Sequence, residues 1–268
     1  MAGGDPFGTF ATDGYALIRD PAIAAMKDEV RATLHATALH IARRLLPEDV
    51  FAALPKDAGF DALLDGIHAA ETGNAVTRAL YEVFPALPPV IALIHHPFVR
   101  KTIAAAGVEE AVAGTLPLIR LDRPGDQRFA TPAHQDSWYS LLSPNAVTLW
   151  TPLCQMTPDM GELRILPGSQ AGGLRAFKPY EAGHEWFETA EPVPEASLVP
   201  VAVGYDELLI FNQSLIHKSG PNASDRVRIS VQLRFNDLAT AHALTSTYTP
   251  SLSRYVLEQQ KARLDGRA

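Results

Sequence analysis

The chain reads as mainly β with α: a double-stranded β-helix (a jelly-roll or cupin-like core) buttressed by N-terminal helices. Three observations predict this. From about residue 115 to 236, short β-like runs alternate with turns rich in Gly, Pro, Asn and Asp, the punctuation of a sandwich or jelly roll. Before that point the chain is rich in Ala and Leu, with apolar residues every three or four positions, which is a helical period. No internal repeat, low-complexity tract or Pro/Ser linker divides the 268 residues, a length one β-rich domain can reach undivided. A single domain over 1–268 follows, and helices covering one face of a sheet leave its other face for a site.

In chain order, Phe10 to Ile18 reads as a turn leading into a short strand. Asp20-Pro21 then opens a helix, with an acid at the N-cap and proline at the first helical position. Ile23, Met26, Val30, Leu34, Ala38, Ile41 and Leu45 mark its packing face. Further helices are predicted over Asp57–Phe84 and Pro89–Ala106. His35, His40, His68, His95 and His96 fall in this helical third and read as core or surface histidines. Strands are predicted over Thr115–Leu121, Ala146–Thr151, Glu162–Leu166, Leu198–Val203, Glu207–Phe211 and Val227–Phe235. A helix over Ser251–Leu264 closes the chain.

The last strand alternates Val227, Ile229, Val231, Leu233 and Phe235 with Arg228, Ser230, Gln232 and Arg234. Period two puts the two sets on opposite faces. The polar set suits either a solvent-facing stripe or an interior polar wall.

Composition narrows the function classes. A net charge of −7 opposes nucleic-acid binding, which needs a basic face. Cys154 is the sole cysteine, so there is no intrachain disulfide and no multi-cysteine zinc site, and a reducing cytoplasm is the simplest compartment. Met1 to Thr12 lacks a secretory pattern, and no uncharged apolar stretch approaches the roughly 20 residues of a membrane span. The expected partner is therefore a small-molecule substrate, with neither nucleic acid nor membrane; oligomeric state is open.

The most informative residues are His134-Gln135-Asp136, a lone His217 far downstream, and Arg228-Ile229-Ser230 soon after it. Two imidazoles and a carboxylate on one face of an octahedral metal leave three positions open, which suits Fe(II) oxygenases. Arg228 offers a planar, permanently charged fork for the carboxylate of an anionic cosubstrate. Singly, each piece is weak in a chain with nine histidines; the combination on strands and turns able to converge is much stronger.

Beyond these residues the chain resembles the phytanoyl-CoA dioxygenase (PhyH) family of Fe(II)/2-oxoglutarate-dependent oxygenases from Phe10-x-x-x-Gly14-Tyr15 to Phe235. The matching stretches are Arg123-Pro124-Gly125, the His134 triplet, Val147 to Leu153, Gly161 to Ser169, His217 to Asn222 and Arg228 to Ser230. The resemblance implies that His134, Asp136 and His217 hold Fe(II). It implies that Arg228 pairs with the distal carboxylate of 2-oxoglutarate, supported by Ser230 and Ser219, with Trp150 packed beside the cosubstrate. The family's Gly-Asp turn appears here as Gly204-Tyr205-Asp206, and Arg120 is a weak candidate for a further cosubstrate contact. The implied reaction consumes O2, releases succinate and CO2, and hydroxylates an unactivated C–H bond. Halogenating relatives replace the carboxylate that Asp136 retains.

For the substrate, Trp138, Tyr139 and the segment His184-Glu185-Trp186-Phe187 are candidate pocket residues, and Arg164 and Arg234 are candidate anion partners. A small or medium polar metabolite is expected: an amino acid, a sugar-derived compound or a natural-product intermediate. Three alternatives stay open: the same site performing desaturation, epimerisation or cyclisation, a non-catalytic jelly-roll protein that binds a metal or ligand, or a zinc hydrolase. The last leaves Arg228-x-Ser230 without a role.

Overall fold

A computed structural model describes residues 5–126, 130–140, 143–180 and 186–240. The helical third comprises α1 (Phe10–Asp13), α2 (Pro21–Leu45), α3 (Glu48–Ala53), α4 (Phe60–Ala70), α5 (Ala75–Val83), α6 (Pro88–His95) and α7 (Pro97–Ala105), with strand β1 (Tyr15–Arg19) between the first two helices. The β region runs β2 (Ala111–Ala113), β3 (Leu118–Asp122), the short helix α8 (Ser137–Ser140), β4 (Val147–Pro152), β5 (Leu163–Ile165), β6 (Phe177–Pro179), β7 (Phe187–Thr189), β8 (Val199–Val201), β9 (Glu207–Asn212), β10 (His217–Ser219) and β11 (Arg228–Asp237).

A six-stranded sheet has the order β1-β9-β4-β11-β2, with β3 also paired to β11. A three-stranded sheet, β10-β5-β8, faces it, and β6 and β7 form a separate hairpin. The helices cover the outer face of the large sheet. There Val147 and Leu149 of β4, and Ile229, Val231, Leu233 and Phe235 of β11, join Ile23, Val30 and Leu34 of α2 in one buried cluster. Each such side chain fully removed from water stabilises by about 2 kcal/mol. A second cluster lies between the sheets and contains Trp150, Leu163, Ile165, Leu209 and Phe211. This is the predicted double-stranded β-helix with its helical buttress. The polar face of β11 points inward, between the sheets.

Helix α2 starts as its first residues predict: the Asp20 side chain accepts a hydrogen bond from Ala22 N at 2.8 Å, and Pro21 takes the first turn. Its packing face differs at the edges, because Leu45 is exposed whereas Lys27 and Ala42 are buried. Lys27 is tolerated because Nζ donates to the carbonyls of Tyr205 at 2.7 Å and Glu207 at 3.1 Å; burial pushes its pKa down to about 7.

Both long predicted helices are broken in two. Asp57–Phe84 divides at Gly73-Asn74, which take positive φ values of 79° and 60°. Glu71 then caps α5 by accepting from Val76 N at 2.9 Å. Pro89–Ala106 divides at Pro97, where the His96 ring accepts from Phe98 N and caps α7. Helix α3 and strands β2, β6 and β7 were not predicted, and the helix expected over Ser251–Leu264 lies outside the described residues. No single helix among the described residues is long and apolar enough to cross a membrane.

Candidate active site

His134 and His217 meet as an antiparallel backbone pair, His134 N donating to His217 O at 2.9 Å and His217 N to His134 O at 3.0 Å. This bridge sets the ring centroids 4.2 Å apart. Nδ1 of His134 lies 2.8 Å from Pro132 O, and Nδ1 of His217 lies 3.0 Å from Leu215 O. A carbonyl only accepts, so each Nδ1 carries the proton and each Nε2 keeps its lone pair for a metal. Burial, with His217 alongside, pushes the His134 pKa down to about 3, and burial lowers His217 too. Both rings are therefore neutral ligands at ordinary pH.

Asp136 completes the set. Its Oδ1 lies 3.8 Å from His134 Nε2, and ligand atoms from all three residues fall within 4.8 Å of one another. Arg234 Nη2 donates to Asp136 Oδ1, and Thr148 Oγ1 donates to Oδ2, each at 2.6 Å. The β4–β11 ladder pairs Arg234 directly with Thr148, so one register delivers both donors. Burial opposes ionisation of Asp136, but Arg234 and the two imidazoles outweigh it and hold the carboxyl well below the usual range. The intervening Gln135 is pinned through its amide to Gly173 O at 2.9 Å and to Ser214 O. Neutral imidazole nitrogens plus an ionised carboxylate suit a divalent first-row metal such as Fe(II).

His134 and His217 open onto a cavity of about 450 Å³, within the range of small-molecule sites. Arg228, Ser230, Gln232 and Arg234 line it from alternate positions of β11. Arg228 is buried, and its fork is already engaged. Nε and Nη2 both donate to Asp122 Oδ2, at 3.1 and 2.9 Å, while Nη1 donates to the carbonyls of Met160, Gly161 and Gly220. Arg120 Nη2 donates to the other oxygen, Asp122 Oδ1, at 2.6 Å. The pairing of β3 with β11 explains the cluster, since it sets Arg228 opposite Asp122 and Ser230 opposite Arg120. Burial disfavours charge on Asp122, but the two guanidinium groups prevail and lower its pKa.

The remaining predicted residues divide. Trp150, Tyr139, Trp186 and Ser219 line the cavity together with Ser230. Ser219 Oγ also accepts from Thr131 N at 2.8 Å. Tyr139 packs edge-on to His134, and burial raises its phenol pKa to about 12. Trp186 lies over the Arg120 guanidinium, 5.7 Å from ring centre to carbon. Trp138 and Arg164 are not in the cavity wall. Trp138 packs on Phe177 and Phe187 in a separate aromatic cluster, and Arg164 turns outward from β5 to pair with Glu195 at 2.7 Å. Arg234, expected to meet a substrate anion, lines the cavity and also holds Asp136 through Nη2. His184 and Glu185 lie outside the described residues. Asp122 and Thr148 were missed; the signal for Asp122 was its two-residue spacing from Arg120 on one strand face.

The fold and site thus define a jelly-roll protein whose two histidines line a cavity between sheets, with the aspartate beside them. The phytanoyl-CoA dioxygenase (PhyH) family profile matches residues 10–230, and the chain belongs to that family. The chain is 27% identical over 131 residues to 1-deoxypentalenic acid 11-beta-hydroxylase of Streptomyces exfoliatus, covering 46% of each chain. It is 26% identical over 93 residues to dioxygenase lolE1 of Epichloe uncinata, covering 35% of this chain and 34% of that one. It therefore matches less than half the length of either relative. Among solved structures, the non-heme monooxygenase ThoJ shares the fold, with a TM-score of 0.57 and 18% identity over 87% of this chain and 77% of that one.

Proposed function

We propose that the protein is an Fe(II)/2-oxoglutarate-dependent dioxygenase that hydroxylates an unactivated C–H bond of a small or medium polar metabolite, releasing succinate and CO2. One observation carries this reading: three metal-ligand atoms within 4.8 Å of one another, two of them imidazole nitrogens freed by carbonyl contacts on histidines that line a cavity. When bound, iron with 2-oxoglutarate and O2 supplies the oxidising power that removes hydrogen from carbon. The protein's own residues do the rest. The carbonyls of Pro132 and Leu215 orient the rings, while Arg234 and Thr148 orient the carboxylate.

In this reading the distal carboxylate of 2-oxoglutarate docks at the Arg120–Asp122–Arg228 cluster, where two cations outnumber one carboxylate. Arg228 and Ser230 face it from β11, Ser219 stands on β10 and Trp150 walls one side. Tyr139 and Trp186 border the substrate space and exclude water. The Streptomyces relative is named a hydroxylase, which favours that outcome over desaturation, epimerisation or cyclisation. The buried free thiol of Cys154 fits a reducing compartment such as cytoplasm.

The test is turnover. Purified protein with Fe(II), 2-oxoglutarate and O2 should release succinate, and His134→Ala and Asp136→Ala should not. A true substrate should gain one oxygen atom in mass; loss of two hydrogens would mean desaturation. No succinate from folded, iron-loaded protein would overturn the proposal.

A further inference from the structure

We propose that the substrate of this cavity is a largely carbon skeleton bearing an oxygen that accepts a hydrogen bond, and that Gln232 Nε2 is the donor that orients it. A ketone, ester or amide carbonyl is the simplest case. The inference rests on reading this cavity as the substrate site, and it narrows the substrate class given above.

Gln232 stands between Ser230 and Arg234 on the polar face of β11, and its half-buried side chain lines the cavity. Its backbone is held from both sides, opposite Leu118 on β3 and Trp150 on β4. Its amide is held as well, because Oε1 accepts from Arg234 Nη2 at 3.1 Å. A guanidinium only donates, so this contact identifies the oxygen and turns the NH2 group away from Arg234. No acceptor among the described residues meets that NH2 group. The same Arg234 Nη2 donates to Asp136 Oδ1 at 2.6 Å. One nitrogen thus ties the amide to the carboxylate beside the two histidines. An oxygen seated on Gln232 Nε2 sits at a fixed offset from Asp136, and that offset selects which carbon faces His134 and His217.

The other groups in the wall set the rest of the substrate. Gln232 Oε1 is engaged by Arg234, and both Asp122 oxygens are engaged by Arg120 and Arg228. The cavity therefore offers a donor where an ammonium group would need acceptors, so amino acids fit poorly. Around that donor, Leu118, Tyr139, Leu163, Trp186 and Phe211 present carbon and ring faces. A row of sugar hydroxyls would leave water for these faces without finding new partners, whereas a carbon skeleton gains by the same transfer.

The experiment titrates metal-free protein with cyclooctanone and with methylenecyclooctane, which match in shape and differ in the oxygen acceptor. Binding is read from the fluorescence of Trp150 and Trp186 in the wall. Two variants separate the roles of the amide: Gln232→Glu keeps an oxygen for Arg234 and deletes the NH2 donor, and Gln232→Leu deletes both. The ratio of ketone to alkene affinity should fall about fivefold in each, the share of one neutral hydrogen bond. Arg164→Gln, outside the cavity, should keep the wild-type ratio. A ratio unchanged in both variants overturns the donor, and a fall in Gln232→Leu alone routes the effect through Arg234 and overturns it too. No binding of either probe overturns the carbon skeleton. Saturating Zn(II) and 2-oxoglutarate should leave the ketone bound; its displacement would give Gln232 to the cosubstrate and overturn the placement. The predicted fall in a protein that never releases succinate leaves this inference standing and removes the oxygenase reading; succinate release with an unchanged ratio does the reverse.

Discussion

Arg234 donates to Asp136 across 2.6 Å although 98 residues separate them in the chain. Thr148 holds the other carboxylate oxygen at the same distance, from the rung of the β4–β11 ladder opposite Arg234. The orientation of a ligand on a loop is thus delegated to two donors on the most extensively paired strands of the large sheet.

Thr148→Val keeps the size of the side chain and deletes one donor. Fe(II) affinity should fall about tenfold with the fold retained, as expected for loss of a partner to a metal ligand. Anaerobic calorimetric titration checks this, and unchanged affinity would show that Arg234 alone suffices.

Arg228→Ala should raise the 2-oxoglutarate requirement strongly while Fe(II) affinity stays near wild type, because Arg228 touches Asp122 and backbone carbonyls and no metal ligand. Succinate release measured against each component separates the two. Equal loss of both would make the arginine structural.

Asp122→Ala should be the most destabilising change in the cavity. It leaves Arg120 and Arg228 facing each other in a buried site, where breaking an ion pair from one side costs about 3–5 kcal/mol. Urea unfolding should show the loss; a change below about 1 kcal/mol would place water between the cations.

The metal-free protein should lose stability on acidification. In the unfolded chain each imidazole takes up a proton near 6.5, whereas folded His134 resists protonation down to about 3 and the pKa of His217 is also lowered. Their contribution is therefore complete above pH 6.5 and is lost progressively as pH falls toward 3. Each contributes a slope of up to about 1.4 kcal/mol per pH unit. Asp136, held below the usual carboxylate range, adds a loss at still lower pH. Urea midpoints from pH 7.5 to 4.5 test this, and His134→Asn should flatten the curve.

The grouping of His134, Asp136 and His217 was legible because their chemistry is carried by residue type, and the polar face of β11 because a strand's period of two needs no partner to be read. What covers that face was not legible. Arg228 meets Asp122 only through the β3–β11 register, and Arg234 meets Thr148 only through the β4–β11 register, both long-range pairings that local pattern does not encode. The breaks at Gly73-Asn74 and Pro97 were present as local signals, but the apolar periodicity running through them concealed both. Arg164 and Trp138 failed as pocket residues for the same reason: which face of β5 or α8 turns inward is decided by packing.

The most direct measurement is anaerobic. Fe(II) and then 2-oxoglutarate are added to the protein, and the weak visible charge-transfer band of an iron chelate is sought, with His217→Ala as control. The band should form in the wild-type protein and fail in the variant. Folded wild-type protein that gives no band, or a variant that gives the same one, would contradict iron and 2-oxoglutarate binding at His134, Asp136 and His217.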